Sequence, residues 1–411
     1  MNYDTKLQEL KGLLNTHHEY RQTCLNLIAS ENTPSPMVEA LLDERLARRY
    51  GNYIGIALAR RHYKGNRHIV EIETFTHELA KTLFGAAYVD FRPLSGNIAG
   101  IAATFALCEP GDTVLEVDDG HRYAYKLASS SLQVNLKSIP IPWDAPRSNI
   151  ALAETVALIE EHRPRVVNIG TGVFLFPQPV RQLKEAMRRV NPGAYLIYDA
   201  AHVMGLIAGG RFQSPFEEGA DVIISSTHKT LAGPQGGMIL TNEKSIAERV
   251  AHTLYPLLMS NHHLSRLPAL AGTFLEWQAF GKAHADAIVA NAKALGQALA
   301  NRGVPMLAAE LGFTASHTLI PIVDSYGEGG ELASQLEACH IIAGAFGLPP
   351  AVGTSGLRIG VQEVTRWGMT PADAPEIADC IVGALTGESP DVVKPKVARV
   401  ARRFDTVRWT L

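Results

Sequence analysis

The sequence predicts an α/β chain built on a mainly parallel sheet and followed by a smaller α+β domain. Three observations predict it. Apolar strand-like runs alternate with helical patterns up to residue 250. Two of those runs, LIYDAAHVMG and DVIISSTHKTLAGPQGG, end in polar clusters, as strands do where a parallel sheet meets a ligand. Near residue 255 the pattern gives way to a loop, a long helix and then a strand–helix–strand–helix order. The expected division is an N-terminal helical arm over 1–35, a large domain over 36–280 and a small C-terminal domain over 281–411.

Composition narrows the function classes. With 411 residues, 46% hydrophobic and 19% charged, the chain can bury a large core. A net charge of −3, from 38 basic and 41 acidic residues, gives no reason to expect nucleic acid or an anionic membrane as partner. No apolar run approaches the ~20 residues of a membrane span. The start, MNYDTKLQELKGLL, has the charge pattern of an amphipathic helix and not of a signal peptide. Cys24, Cys108, Cys339 and Cys380 are far apart and lack CxxC spacing, which suits reduced thiols in a cytoplasmic protein.

Taken in order, residues 1–24 read as a charged helix, and LNLIASENTPSP as a break punctuated by Pro34 and Pro36. Residues 37–49 read as one helix. YGNYIGIALARRHYKGNR at 50–67 has no clean period and reads as a functional loop. A helix over 68–84 and a strand in AYVDFRP lead to LSGNIAGIAATFALC, where Ser95, Gly96 and Asn97 open an apolar helix. Free amides and the helix dipole make such a turn a phosphate cradle, although an ordinary N-cap has the same sequence. PGDTVLEVDDGHRYAY reads as turn, strand and polar strand end at 118–121. Strands in VNLKSIPI, RVVNIGTGV, YLIYDAAH, VIISSTHK and GGMILTN follow, with helices near 152–162 and 180–190. Beyond the long helix at roughly 264–301 come HTLIPIV, GGELASQLEAC, SGLRIGV and DAPEIADCIVGAL, then a basic last helix.

The chemistry gathers at two strand ends. Asp199 with His202 closes one run, and Thr227, His228 and Lys229 close the next, before a glycine-rich turn. A lysine that can form an imine, and an acid that can pair with a pyridinium nitrogen, are what pyridoxal 5'-phosphate (PLP) requires. The run Asn261-His262-His263 invites a metal reading. Adjacent histidines diverge on most backbones and no third ligand stands near, so no metal is expected.

These residues sit in words that resemble the serine hydroxymethyltransferase family: LIASEN at 27–32, LFGAAYVDFRPLSG at 83–96, EPGDTVL at 109–115, THKTLAGPQGG at 227–237 and TSGLRIG at 354–360. The resemblance implies a fold-type I, aspartate-aminotransferase-like PLP enzyme, a transferase or lyase acting at Cα of an amino acid. It implies a homodimer with shared active sites, to which the N-terminal segment contributes. It assigns Lys229 to the cofactor Schiff base, Asp199 to the pyridinium nitrogen, His121 to stacking on the ring and His202 to its phenolic oxygen. Ser95, Gly96 and Asn97 would hold the phosphate, although the family usually has Ser where Asn97 stands. Thr171, Thr227 and His228 would line the cofactor. Tyr50 would reach the partner's phosphate site, and His262 or His263 would line the partner's active site and touch phosphate or substrate. Arg358 would grip the amino-acid carboxylate with a bidentate fork, with Ser30 nearby, and Tyr63 matches an active-site tyrosine.

The departures fall on the second substrate. Asn52 stands where the family has a glutamate, and an amide cannot act as acid or base there. His62 replaces a tyrosine that flanks folate. VDDGHR at 117–122 puts charge where the family has a leucine-lined entrance, GAFGLPPAVG shortens another loop, and SNHH at 260–263 replaces a Gly-Gly pair. With the PLP side retained, this argues against tetrahydrofolate. The expected activity is a folate-independent aldolase or transaldolase. It would form a glycine-type quinonoid by cleaving Cα–Cβ of L-threonine or serine, and pass the glycyl unit to an aldehyde. Folate-dependent serine–glycine interconversion is the alternative, and β-elimination, decarboxylation or transamination on the same scaffold is a third.

Overall fold

A computed structural model describes every residue except Met1, Asp119 and Leu132. The charge expected at Asp119 therefore lies outside the described residues. The chain forms two compact units, Asn32–Asp286 with Trp409–Leu411, and Met1–Glu31 with Ala287–Arg408. The helix Leu267–Ala300 belongs to the first through Asp286 and to the second from Ala287. Among the described residues no helix is long and apolar enough to cross a membrane.

The larger unit is a seven-stranded sheet flanked by helices. Its strands are β1 (Tyr88–Asp90), β2 (Thr113–Val117), β3 (Lys137–Ile141), β4 (Val166–Ile169), β5 (Tyr195–Asp199), β6 (Val222–Ser226) and β7 (Gly237–Thr241). Their spatial order is β1-β7-β6-β5-β4-β2-β3. All neighbours are parallel except β7, which runs antiparallel to both β1 and β6. Strands buried on both faces read as continuous Val/Ile runs, which is why the sequence pattern located them. The helix Gly96–Leu107 lays Ala99, Ala102, Ala103 and Ala106 against Ile197, Val222, Ile224 and Ile239, and its small side chains let it lie close to the sheet.

Residues 37–49 differ from the single helix expected. Two short helices form instead, Pro36–Ala40 and Glu44–Ala47. Asp43 ends the continuity because its carboxylate accepts from the amides of Arg45 and Leu46, a cap for the second helix. The loop 50–67 is irregular apart from a bridge between Tyr53 and Arg61. Arg92 anchors it. The guanidinium pairs with Asp90, donates to the carbonyls of Tyr53 and Gly55, and lies 4.1 Å from the centre of the Tyr53 ring.

In the smaller unit a three-stranded sheet runs in the order Thr318–Leu319, Ser355–Gly360, Gly344–Gly347, with helices Gly329–Ala338, Ala374–Leu385 and Pro390–Ala401. The first 31 residues cluster here. Leu25–Asn26 pairs in parallel with Ile341–Ile342, at the end of the helix Tyr3–Gln22.

Candidate active site

The C-terminal ends of β2, β4, β5 and β6 converge, and each is followed by candidate groups. Asp199 ends β5 and is 1% exposed. Its Oδ2 lies 2.6 Å from His121 Nδ1, its Oδ1 accepts from the Ala201 amide at 3.0 Å, and the Tyr123 hydroxyl also donates to Oδ2 at 2.6 Å. Burial alone would raise the carboxyl, but the His121 charge and these hydrogen bonds outweigh it and hold Asp199 below the usual carboxylate range. A buried, ionised carboxylate is the group a protonated ring nitrogen requires.

His121 is fixed from behind. Its amide donates to Gly170 O at 2.8 Å and its carbonyl accepts from the Asn168 side chain at 2.7 Å. A Cβ on Gly170 would lie 2.8 Å from Asp199 Cβ, so only glycine lets the end of β4 approach β5 this closely. Thr171 follows and accepts from the Val173 amide. The His202 ring centre is 5.9 Å from that of His121, and its Nε2 lies 3.0 Å from Lys229 Nζ. Asp199, His121, His202 and Lys229 thus form one continuous line of side chains.

The loop that carries Lys229 leaves β6 and returns as β7. Its neck is closed by the Thr227 amide on Gly236 O. The Thr227 hydroxyl is buried, bonded to Pro234 O and accepting from Arg266 at 2.9 Å. It therefore ties the loop together and does not face outward. Burial and the charges of Lys229 and Arg266 push His228 down to about 4, so its ring is neutral near neutral pH. Asn32 donates to the Lys229 carbonyl at 3.0 Å.

Ser95 caps the helix Gly96–Leu107 through Ile98 N, and the first-turn amides of Gly96 and Asn97 have no acceptor in their own helix. A Cβ on Gly96 would come within 3.1 Å of Ser226 N, so the cradle is pressed onto the end of β6. Asn97 accepts from Lys126 Nζ at 2.9 Å. An anion-binding helix start, an ionised buried acid and a lysine beside a histidine fit PLP.

The remaining candidates have surroundings of their own. Tyr50 and Tyr63 are exposed and meet edge to face, 5.2 Å between ring centres. His262 is buried, with Nε2 2.6 Å from Glu73, whose carboxylate also pairs with Arg61. In the smaller unit Arg358 lies in the strand Ser355–Gly360, opposite Gly344, and burial lowers its guanidinium below the ordinary arginine value. Ser30 sits in a segment pinned there by Gln362, which donates to the carbonyls of Ile28 and Glu31. Sequence reading missed Tyr123, Asn168 and Arg266. Position after a polar strand end could have pointed to Tyr123 and position at the start of the long helix to Arg266, whereas Asn168 is an amide inside the otherwise apolar strand β4.

A family model described as serine hydroxymethyltransferase matches residues 3–381. Proteins named serine hydroxymethyltransferase from Pyrobaculum arsenaticum and Methanopyrus kandleri are 38% and 39% identical. They cover 98% and 96% of this chain, and 94% and 92% of their own lengths are matched. The solved structure of L-threonine transaldolase from Pseudomonas fluorescens, in its internal aldimine state, superposes with a TM-score of 0.89 at 27% identity. The match covers 99% of this chain and 94% of that one.

Proposed function

Because the chain belongs to the serine hydroxymethyltransferase family of fold-type I, PLP-dependent transferases and lyases, we propose that it cleaves Cα–Cβ of a β-hydroxy amino acid without folate and passes the glycyl unit to an aldehyde. L-threonine and serine are the donors of that class. One observation carries the reading. Asn52, where the family glutamate would stand, is 4% exposed and its Oδ1 has no hydrogen-bond partner among the described residues. A buried amide can neither take nor return the proton that folate chemistry needs there. Likeness in fold to an L-threonine transaldolase supports the same reading.

Lys229 would hold the cofactor covalently, Asp199 its ring nitrogen, and Gly96 and Asn97 its phosphate. Bound there, PLP supplies the electron sink for charge developing at Cα. The chain's own groups do the rest. His202, 3.0 Å from Lys229 Nζ, can exchange a proton with the amine once it is free. His121 covers Asp199 and keeps water from its charge. Arg358 would take the substrate carboxylate, and a homodimer would bring the exposed Tyr50 and Tyr63 into use.

Folate-dependent serine–glycine exchange is the second reading, favoured by relatives of that name at 38–39% identity. The purified holoenzyme should release acetaldehyde from L-threonine at a rate that tetrahydrofolate leaves unchanged. With a second aldehyde present it should yield a new β-hydroxy amino acid. Failure to release acetaldehyde without folate would sink the proposal, and serine cleavage that requires folate would establish the second reading.

A further inference from the structure

The short helix Tyr123–Ser129 follows the His121 turn and touches both ends of the candidate cofactor site. Tyr123 is 2% exposed, and its hydroxyl reaches the same Asp199 oxygen as His121. The ring packs against the bare backbone of the cradle helix at Gly100, where a Cβ would lie 2.1 Å from Tyr123 Cζ. Glu116, in β2, is fully buried and fixes the start of this short helix. Its carboxylate accepts from the amides of Ala124 and Tyr125 at 2.9 and 3.0 Å, and from Ser138 Oγ at 3.0 Å. One turn on, Lys126 donates to Asn97 at the cradle.

We propose that the helix Tyr123–Ser129 is the positioning element of the cofactor site, with Tyr123 fixing and polarising Asp199 and Lys126 steadying the cradle at Asn97. The inference rests on Asp199 being the partner of the cofactor ring nitrogen. Three donors, from His121, Tyr123 and Ala201, draw electron density from that carboxylate and lower its affinity for a proton. A proton shared between Asp199 and the ring nitrogen then stays on nitrogen. Without the Tyr123 hydroxyl the carboxylate becomes more basic, the proton moves toward it, and the ring is a poorer electron sink. Nothing is oxidised or reduced. Only the position of one proton changes.

Holoenzyme reconstituted with ring-15N PLP reads that proton directly by 15N NMR. In Tyr123→Phe the resonance should move toward the unprotonated position. The kcat for Cα–Cβ cleavage should fall roughly tenfold with KM unchanged, a split that loss of packing alone does not give. Gly100→Ala, which keeps the hydroxyl but displaces the ring, should give the same shift and replaces Tyr123→Phe if that variant does not fold. Lys126→Met should weaken cofactor affinity without moving the resonance, and unchanged affinity would remove Lys126 from the proposal. An unchanged resonance in Tyr123→Phe, with a clear shift in Asp199→Asn, overturns the inference alone. No shift in either variant overturns the assignment of Asp199 as well.

Discussion

At the scale of single residues, the larger unit holds two kinds of buried titratable group. Asp199 is stabilised in its charged form by specific donors; Asp199 and His121 are legible in the sequence from their strand-end positions, and the Tyr123 donor is not. His77 is the opposite case. It lies in the helix Arg67–Phe84, edge to face with Phe91 at 5.0 Å, and burial pushes its ring down to about 4. The unfolded chain takes up this proton near pH ~6.5. Between those values only the unfolded state binds it, so stability is complete above about pH 6.5 and falls as the pH drops toward 4. The difference amounts to about 3 kcal/mol. His77→Leu should therefore lose much less of its denaturant midpoint between about pH 7 and about pH 5 than the wild type. Equal losses would show that His77 is not the group responsible. No sequence feature marked His77, because its perturbation comes from what packs around it and not from its neighbours in the chain.

Elements with a strong period were readable, and those made by tertiary contacts were not. The helix expected over 68–84 forms as Arg67–Phe84, and β2 to β7 fall within the runs assigned to them. The helix Tyr123–Ser129 has no counterpart in the sequence reading, which carries the polar strand end to His121, since its start is set by Glu116 on a neighbouring strand and not by a local cap. The loop 50–67 was recognised by its lack of pattern, but what holds it was invisible. Arg92, 2% exposed, grips it from 37 and 39 positions along the chain. Removing one partner from a buried ion pair leaves an uncompensated charge and costs about 3–5 kcal/mol. Arg92→Met should lose stability on that scale, and hydrogen exchange should show the amides of 51–61 opening before those of the sheet. Protection of the loop equal to that of the wild type would show that Tyr53 and Gly55 are held by other contacts.

At the scale of the whole molecule, ligand and fold are linked. A cofactor that binds only the folded chain adds stability set by its concentration, about 2.7 kcal/mol at one hundred times its dissociation constant. Stripping PLP should lower the melting temperature and restoring it should reverse the loss. Lys229→Ala should show a smaller rise for the same added cofactor, as the covalent hold is gone. The parallel pairing of Leu25–Asn26 with Ile341–Ile342 bears on how the chain is made as well as how it stands. At about 5–20 residues per second, the ribosome reaches the second strand roughly 15–60 s after the first. Throughout that interval Leu25–Asn26 has no neighbour to join, and Leu7, Leu10, Leu13 and Leu14, exposed even in the finished fold, stand beside it. The N-terminal segment that carries Ser30 is thus among the first parts to be synthesised and among the last whose strand partner exists.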